Sequence, residues 1–223
     1  MAYTDEAGEA LVRSAFDAVE TTGVDPDWEV RWRTFHHAVR VAGLWIGPPW
    51  ERAADGEAAV VIEPGRAFGT GTHPTTRACV ELLDGIDRGS VLDAGCGSGV
   101  LAIAASRLGF GPVTAVDVDP VAVEAARENA VRNRVDVDVR QVDVLVAQVP
   151  RADVLVANIA LAPVNALLAR SEARYAVTSG YLAREAPDAP GWTSIARMTL
   201  EGWAADALER AAEPRSASPT VMR

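Results

Sequence analysis

Short apolar runs and amphipathic stretches alternate along most of the chain. Runs of strand length stand at Ala58–Ile62, Ser90–Ala94, Val113–Val116, Val135–Val139, Asp153–Ala157 and Tyr175–Thr178. Between them lie stretches of helix length: Pro74 to about Ile86, Leu101–Leu108, Val121–Asn133 and Pro163–Ser171. A strand buried on both faces reads as a continuous apolar run, whereas a half-buried helix repeats its apolar face near every 3.6 residues. Strands alternating with helices of this length predict an α/β fold with a parallel sheet and right-handed crossovers. The end of the chain breaks the pattern. Ser194–Leu200 and Trp203–Leu208 flank Glu201-Gly202 and predict an antiparallel hairpin. Near the start, Glu6 to Val19 reads as a helix, with Leu11, Ala15, Phe16 and Val19 on one face. Trp28 to Trp50 is dense in tryptophan and β-formers until Gly47-Pro48-Pro49 stops it. Residues 211–223 are polar, contain Pro and Ser, and read as a frayed tail.

Candidate chemistry gathers where the run at 91–94 ends. Val91-Leu92-Asp93-Ala94-Gly95-Cys96-Gly97-Ser98-Gly99-Val100 is a buried strand leading into a glycine turn and then a helix. Glycines let backbone turn sharply and approach a ligand, and the amides of a helix N-terminus then face it. Dinucleotide loops space their glycines G-x-G-x-x-G. Here they fall at 95, 97 and 99, with Val at 100. Asp93 would repel a pyrophosphate and suits a cationic ligand carrying an amine, such as S-adenosylmethionine. Asp117, about 20 positions on at the end of the next strand, is placed to accept both hydroxyls of a ribose. A turn role for Asp117 is weaker, because Asp119-Pro120 already supplies a helix cap. Upstream, residues 67–76 form a glycine- and threonine-rich loop with Pro74 opening a helix, suited to gripping a polar ligand through amides and hydroxyls.

These segments resemble a known family. Ala67-Phe68-Gly69-Thr70-Gly71-Thr72-His73-Pro74-Thr75-Thr76, then Asp93-Ala94-Gly95-Cys96-Gly97-Ser98-Gly99, then Asp117-Val118-Asp119-Pro120, are similar to the bacterial ribosomal protein L-eleven methyltransferases, the PrmA-type enzymes. Asp27-Trp28, Trp32, Phe35-His36, Val39-Arg40, Leu44-Trp45-Ile46 and Pro49-Trp50 resemble that family's interdomain linker. Val156-Ala157-Asn158-Ile159, Ser179-Gly180-Tyr181-Leu182 and Glu201-Gly202-Trp203 resemble its later motifs. The resemblance implies a Rossmann-like class I methyltransferase, with a mostly parallel seven-stranded sheet closed by an antiparallel hairpin. It implies S-adenosylmethionine as cofactor and N-methylation of lysine or N-terminal amines on a basic protein, a ribosomal one in the family. It puts Thr76, Gly95, Asp117 and Asn158 on cofactor-contacting positions. With Phe68, Thr70, Asp93 and Gly97 they make the candidate cofactor set. Asn158 is the candidate catalytic residue, its carbonyl helping the charge that develops on the amine. Phe68 is a candidate to cover the sulfonium by a cation–π contact. His73 is the nearest base, or else a cap before Pro74.

The expected organisation is a short helical segment at 1–26, a linker with lead-in strands at 27–62, the methyltransferase domain at 63–210 and the tail at 211–223. The 26 residues before Asp27 are shorter than the family's recognition domain. Other acceptors are therefore alternatives: a different protein, a small amine, or a cofactor-binding homologue without turnover. The family's Pro-Gly-Gly turn is replaced by Arg170-Ser171-Glu172-Ala173-Arg174.

Composition adds bounds. The net charge is −10 and every basic residue is Arg. An acidic surface disfavours nucleic acid and favours a basic partner, or serves only solubility. No apolar run reaches the roughly 18 residues of a membrane span, and no secretory leader opens the chain, so a cytoplasmic location is expected. The two cysteines, Cys79 and Cys96, form no metal pattern. Adjacent His36 and His37 point apart in extended chain, so no metal site is expected.

Overall fold

The computed structural model describes residues 36–65 and 67–211. The helix expected over Glu6–Val19, the tryptophans Trp28 and Trp32 and the tail after Ala211 lie outside the described residues. A three-stranded sheet comes first. β1 (Val39–Val41) pairs antiparallel with β2 (Leu44–Gly47), and β2 pairs parallel with β3 (Ala58–Val61). The main unit follows: α1 (Pro74–Asp84), β4 (Val91–Ala94), α2 (Val100–Arg107), β5 (Val113–Asp117), α3 (Pro120–Asn133), β6 (Asp138–Gln141), β7 (Val154–Asn158), α4 (Leu161–Arg170), β8 (Tyr175–Leu182), β9 (Trp192–Leu200) and β10 (Trp203–Arg210). Its seven strands run in the order β6-β5-β4-β7-β8-β10-β9. All neighbours are parallel except β10, which lies antiparallel to both β8 and β9.

The strand sequences explain this arrangement. β4 and β7 are buried along nearly their whole length, as central strands covered by helices on both faces must be. Two apolar cores lie on opposite sides of the sheet. One joins Leu83, Val100, Ile103 and Val123 to the sheet and to Ile46 and Val60 of the small sheet. The other joins Leu92 and Leu155 to Val164, Leu167 and Leu168 of α4. α2 is apolar all round, with Val100 to Ala105 buried.

Three elements differ from the sequence expectation. The strand expected at Val135–Val139 is displaced to Asp138–Gln141. Arg134 takes a left-handed conformation (φ 53°) to end α3, and residues 135–137 are spent leaving the helix. The strand expected to stop at Thr178 continues to Leu182 through Gly180, where its register with β10 shifts. α4 starts two residues before Pro163, which falls in the first turn, where its missing N–H costs nothing.

β4 is flanked by β5 and β7, so the strand order reverses beside it. Open α/β sheets bind ligands at the carboxyl ends of strands at such a switch point. β4 ends at the glycine loop, β5 at Asp117 and β7 at Asn158.

Candidate functional site

Asp117 stands at the end of β5, and both its oxygens are engaged locally. Oδ2 accepts from Gly97 N at 2.9 Å and Oδ1 from Asp119 N at 3.0 Å. Asp119 in turn caps α3 through Val121 N, as its Asp-Pro sequence predicts. A carboxylate oxygen has two lone pairs, so each oxygen keeps capacity for a further donor.

The glycine loop does not stand open to the cleft alone. Gly97 has φ 53°, and a Cβ there would lie 2.5 Å from Phe68 O. Ser98 N donates to that same Phe68 O at 2.9 Å, and Ser98 Oγ donates to Gly69 O. The threonine-rich loop is thus fastened onto the glycine loop. Asn129 of α3 holds the arrangement from behind, bonding Ser98 O at 3.0 Å and Glu63 N at 3.1 Å.

A cavity of about 340 Å³ opens at this point. Phe68, Thr76, Gly95, Gly97, Asp117 and Asn158 all line it. Two expected cofactor residues do not. Thr70 turns its hydroxyl to Thr72, 3.1 Å away. Asp93 lies buried under the loop, where Oδ2 accepts from Ala102 N at 3.0 Å and Oδ1 has no partner. Burial pushes its carboxyl up to about 7. The Ala102 bond opposes this and the Asp117 charge adds to it. The α2 amide that Asp93 accepts accounts for its position before the glycines without a direct ligand contact. Residues that sequence reasoning missed complete the cavity: Val142, Val144 and Leu145 after β6, Ile159, and Pro163 of α4. Val118 and Leu145 are exposed apolar side chains on its wall.

A second cavity, of about 310 Å³, shares Phe68, Asn158 and Ile159 with the first. Its other walls are His73, Thr75, Gly180 and Trp203. Phe68, His73 and Trp203 stack edge to face, with centroids 5.6 Å and 5.2 Å apart. Gly180 (φ 98°) is needed here, since a Cβ would come within 2.0 Å of Ile159 O. Of the two readings of His73, the structure shows the cap. Its Nδ1 accepts from Thr75 N at the head of α1. Burial holds its ring below the usual imidazole range, and Glu201 partly offsets this. Asn158 Nδ2 donates to Thr75 Oγ1 at 3.1 Å.

Residues 3–206 match the profile of the family described as ribosomal protein L11 methyltransferase (PrmA). The chain belongs to this family. The L11 methyltransferase of Shewanella piezotolerans is 46% identical over 154 residues, which cover 64% of this chain and 50% of that protein. That of Salmonella arizonae is 46% identical over 154 residues, with the same coverage. The chain spans about half the length of these curated relatives. Among solved structures, the ribosomal protein L11 methylase of Lactobacillus delbrueckii subsp. bulgaricus superposes with a TM-score of 0.68 at 28% identity, covering 79% of this chain and 100% of that one. A putative methyltransferase from Escherichia coli shares the fold alone, with a TM-score of 0.53 at 14% identity. The sheet order and closing hairpin are those of a Rossmann-like class I methyltransferase fold.

The residues present fit the cofactor that L11 methyltransferases of this fold imply. A carboxylate with spare acceptor capacity lines the cavity, and exposed apolar side chains on its wall can flank a base. Among the described residues no cluster of His, Cys, Asp and Glu suits a metal ion, and no helix is long and apolar enough to cross a membrane.

Proposed function

We propose that this chain is an S-adenosylmethionine-dependent N-methyltransferase of lysine or N-terminal amines on a basic protein, with ribosomal protein L11 as the first acceptor to test. One observation carries this reading. A cavity of cofactor size and a smaller aromatic-walled slot meet at Asn158 and Phe68.

S-adenosylmethionine, when bound, supplies a methyl group on a sulfonium and is converted to S-adenosylhomocysteine. The rest is work for the chain. Asp117 accepts hydroxyls of the ribose, and Thr76, Gly95 and Gly97 line the same cavity. Phe68 is 66% exposed, so its ring is available to a sulfonium by a cation–π contact. The acceptor amine must be neutral to use its lone pair. A lysine of pKa near 10.4 is about 0.04 % neutral at pH 7. The slot between His73, Ile159 and Trp203 favours the neutral amine by desolvation. As the new N–C bond forms, positive charge moves onto nitrogen, and Asn158 Oδ1 stabilises it. The displaced proton leaves to solvent. In the same proposal residues 63–210 form the catalytic domain, 27–62 form the linker with its lead-in strands, and the enzyme works in the cytoplasm with its acidic surface toward the acceptor.

Transfer of tritiated methyl groups from the cofactor into purified L11 and into cell extract tests the reading. Label in L11 supports the family's acceptor, and label only in other proteins or small amines replaces it. Cofactor binding by calorimetry with no label in any acceptor sinks the catalytic reading in favour of a binding protein.

A further inference from the structure

His73 and Thr75 contribute no atom to the bonds made or broken in this reaction, yet their hydrogen bonds have a direction that can be worked out. The backbone N–H of Thr75 can only donate, and it points at His73 Nδ1, 3.4 Å away. Nδ1 is therefore the unprotonated nitrogen of the ring, and Nε2 carries the hydrogen. Thr75 Oγ1 also lies 2.7 Å from Nδ1. Facing a nitrogen that can only accept, the hydroxyl donates its single hydrogen there. It is left as an acceptor toward its other neighbour, the Asn158 amide, at 3.1 Å. The end of that amide facing Thr75 is consequently the NH2 group. Thr76 Oγ1, 3.5 Å from the same nitrogen, lies on that side too. The carbonyl oxygen of Asn158 is the end turned away from both threonines, on a residue that lines both cavities.

We propose that His73 and Thr75 are positioning residues, forming a directed relay that locks the Asn158 amide with its carbonyl oxygen toward the acceptor amine. The inference rests on the methyl-transfer reading above. An amide rotated by half a turn has nearly the same shape but presents N–H donors to a nitrogen gaining positive charge. Shape alone cannot choose between the two orientations; the relay does. Thr75 is 2% exposed, so water does not take the place of its hydroxyl. Phe68 and Trp203 pack edge to face against the ring, and Glu201, the carboxylate whose charge acts on it, is paired with Arg77 at 3.1 Å.

Paired substitutions separate this role from general packing. Thr75→Val keeps the volume and removes the relay, and kcat is expected to fall at least about tenfold with the Kd for S-adenosylhomocysteine unchanged. Thr75→Ser is expected to keep most of kcat; His73→Asn, with its oxygen near the place of Nδ1, is expected to keep more of it than His73→Leu, since both alter the slot wall but only leucine removes the acceptor. In an Asn158→Ala background, Thr75→Val is expected to have no further effect on kcat, because it acts through an amide no longer present. Wild-type kcat in Thr75→Val, or a full additional loss in the Asn158→Ala background, overturns the relay. A readout independent of turnover guards against a failure of the functional reading itself. The side-chain NH2 resonances of Asn158, assigned by their loss in Asn158→Ala, are expected to shift in Thr75→Val; unshifted resonances overturn the relay even if no methyl is transferred. Shifted resonances in a protein that methylates nothing keep the relay and discard the activity.

Discussion

Asp117 serves two tasks at once. Its carboxylate ties the glycine loop to α3 by accepting from Gly97 N and Asp119 N, and it lines the cavity proposed for the cofactor. Asp117→Ala is expected to weaken S-adenosylhomocysteine binding by roughly 1.5–3 kcal/mol, the size of one charge-assisted hydrogen bond. Calorimetry checks this, and unchanged affinity contradicts the ribose assignment. Asp93 offers a pH test. Its carboxyl ordinarily titrates at 3.8 and in the fold at about 7. The folded state therefore holds this proton more tightly than the unfolded chain, and stability falls as pH rises between those values. Replacing it by Asn removes that cost, so the stability of Asp93→Asn relative to wild type is expected to grow from pH 5 to pH 8, by at most ~3 kcal/mol. A flat difference across thermal melts in the absence of ligand refutes the assignment. Residue types and spacing made Asp117 and Asn158 legible in the sequence, because each ends a recognisable strand. They left Asp93 misplaced and Ile159 unread as a wall. Whether a side chain enters a cleft or supports it from below is decided by the direction of its Cβ against neighbours distant in the chain.

At the scale of elements, α4 does more than cover the sheet. Arg170, the last residue of the helix, donates to the carbonyls of Val144 and Leu145 at 2.8 Å and 2.7 Å, and also to Ala147 O. It thereby clamps the loop that carries one wall of the proposed cofactor cavity. Arg170→Ala is expected to cost about 1–2 kcal/mol of S-adenosylhomocysteine affinity, with partial recovery in Arg170→Lys, whose ammonium lacks the planar fork. Equal affinities in a titration series remove Arg170 from this role. The turn at 171–174, where the family's Pro-Gly-Gly is missing, is closed by other means. Ser171 Oγ accepts from Ala173 N, and Arg210 donates to the carbonyls of Ser171 and Ala173. Most elements were readable from apolar periodicity alone. β6 was not, because one left-handed residue at Arg134 spent three positions that look like strand. The full length of β8 was not, because Gly180 reads as a break and acts as a register shift.

For the molecule as a whole, alternating runs gave the parallel sheet and the closing hairpin gave its antiparallel edge. The strand order itself followed from tertiary pairing, which periodicity does not contain. Charge is a property of this scale. A chain of net charge −10 attracts a basic acceptor over distances comparable to the Debye length, about 8 Å at physiological ionic strength. kcat/KM for a basic protein acceptor is expected to fall as salt rises from 50 to 300 mM, while kcat changes little. A salt-independent kcat/KM would mean that acidity here serves solubility alone.

The seam where Ser98 meets the carbonyl of Phe68 has a thermodynamic consequence. Two loops from different parts of the sequence are joined by the chain's own hydrogen bonds. Their conformational entropy is then lost mainly during folding, and less of it remains to be lost on binding. Affinity for the cofactor is in this way partly prepaid by the stability of the fold, so a substitution that opens the seam weakens binding without removing a single ligand contact.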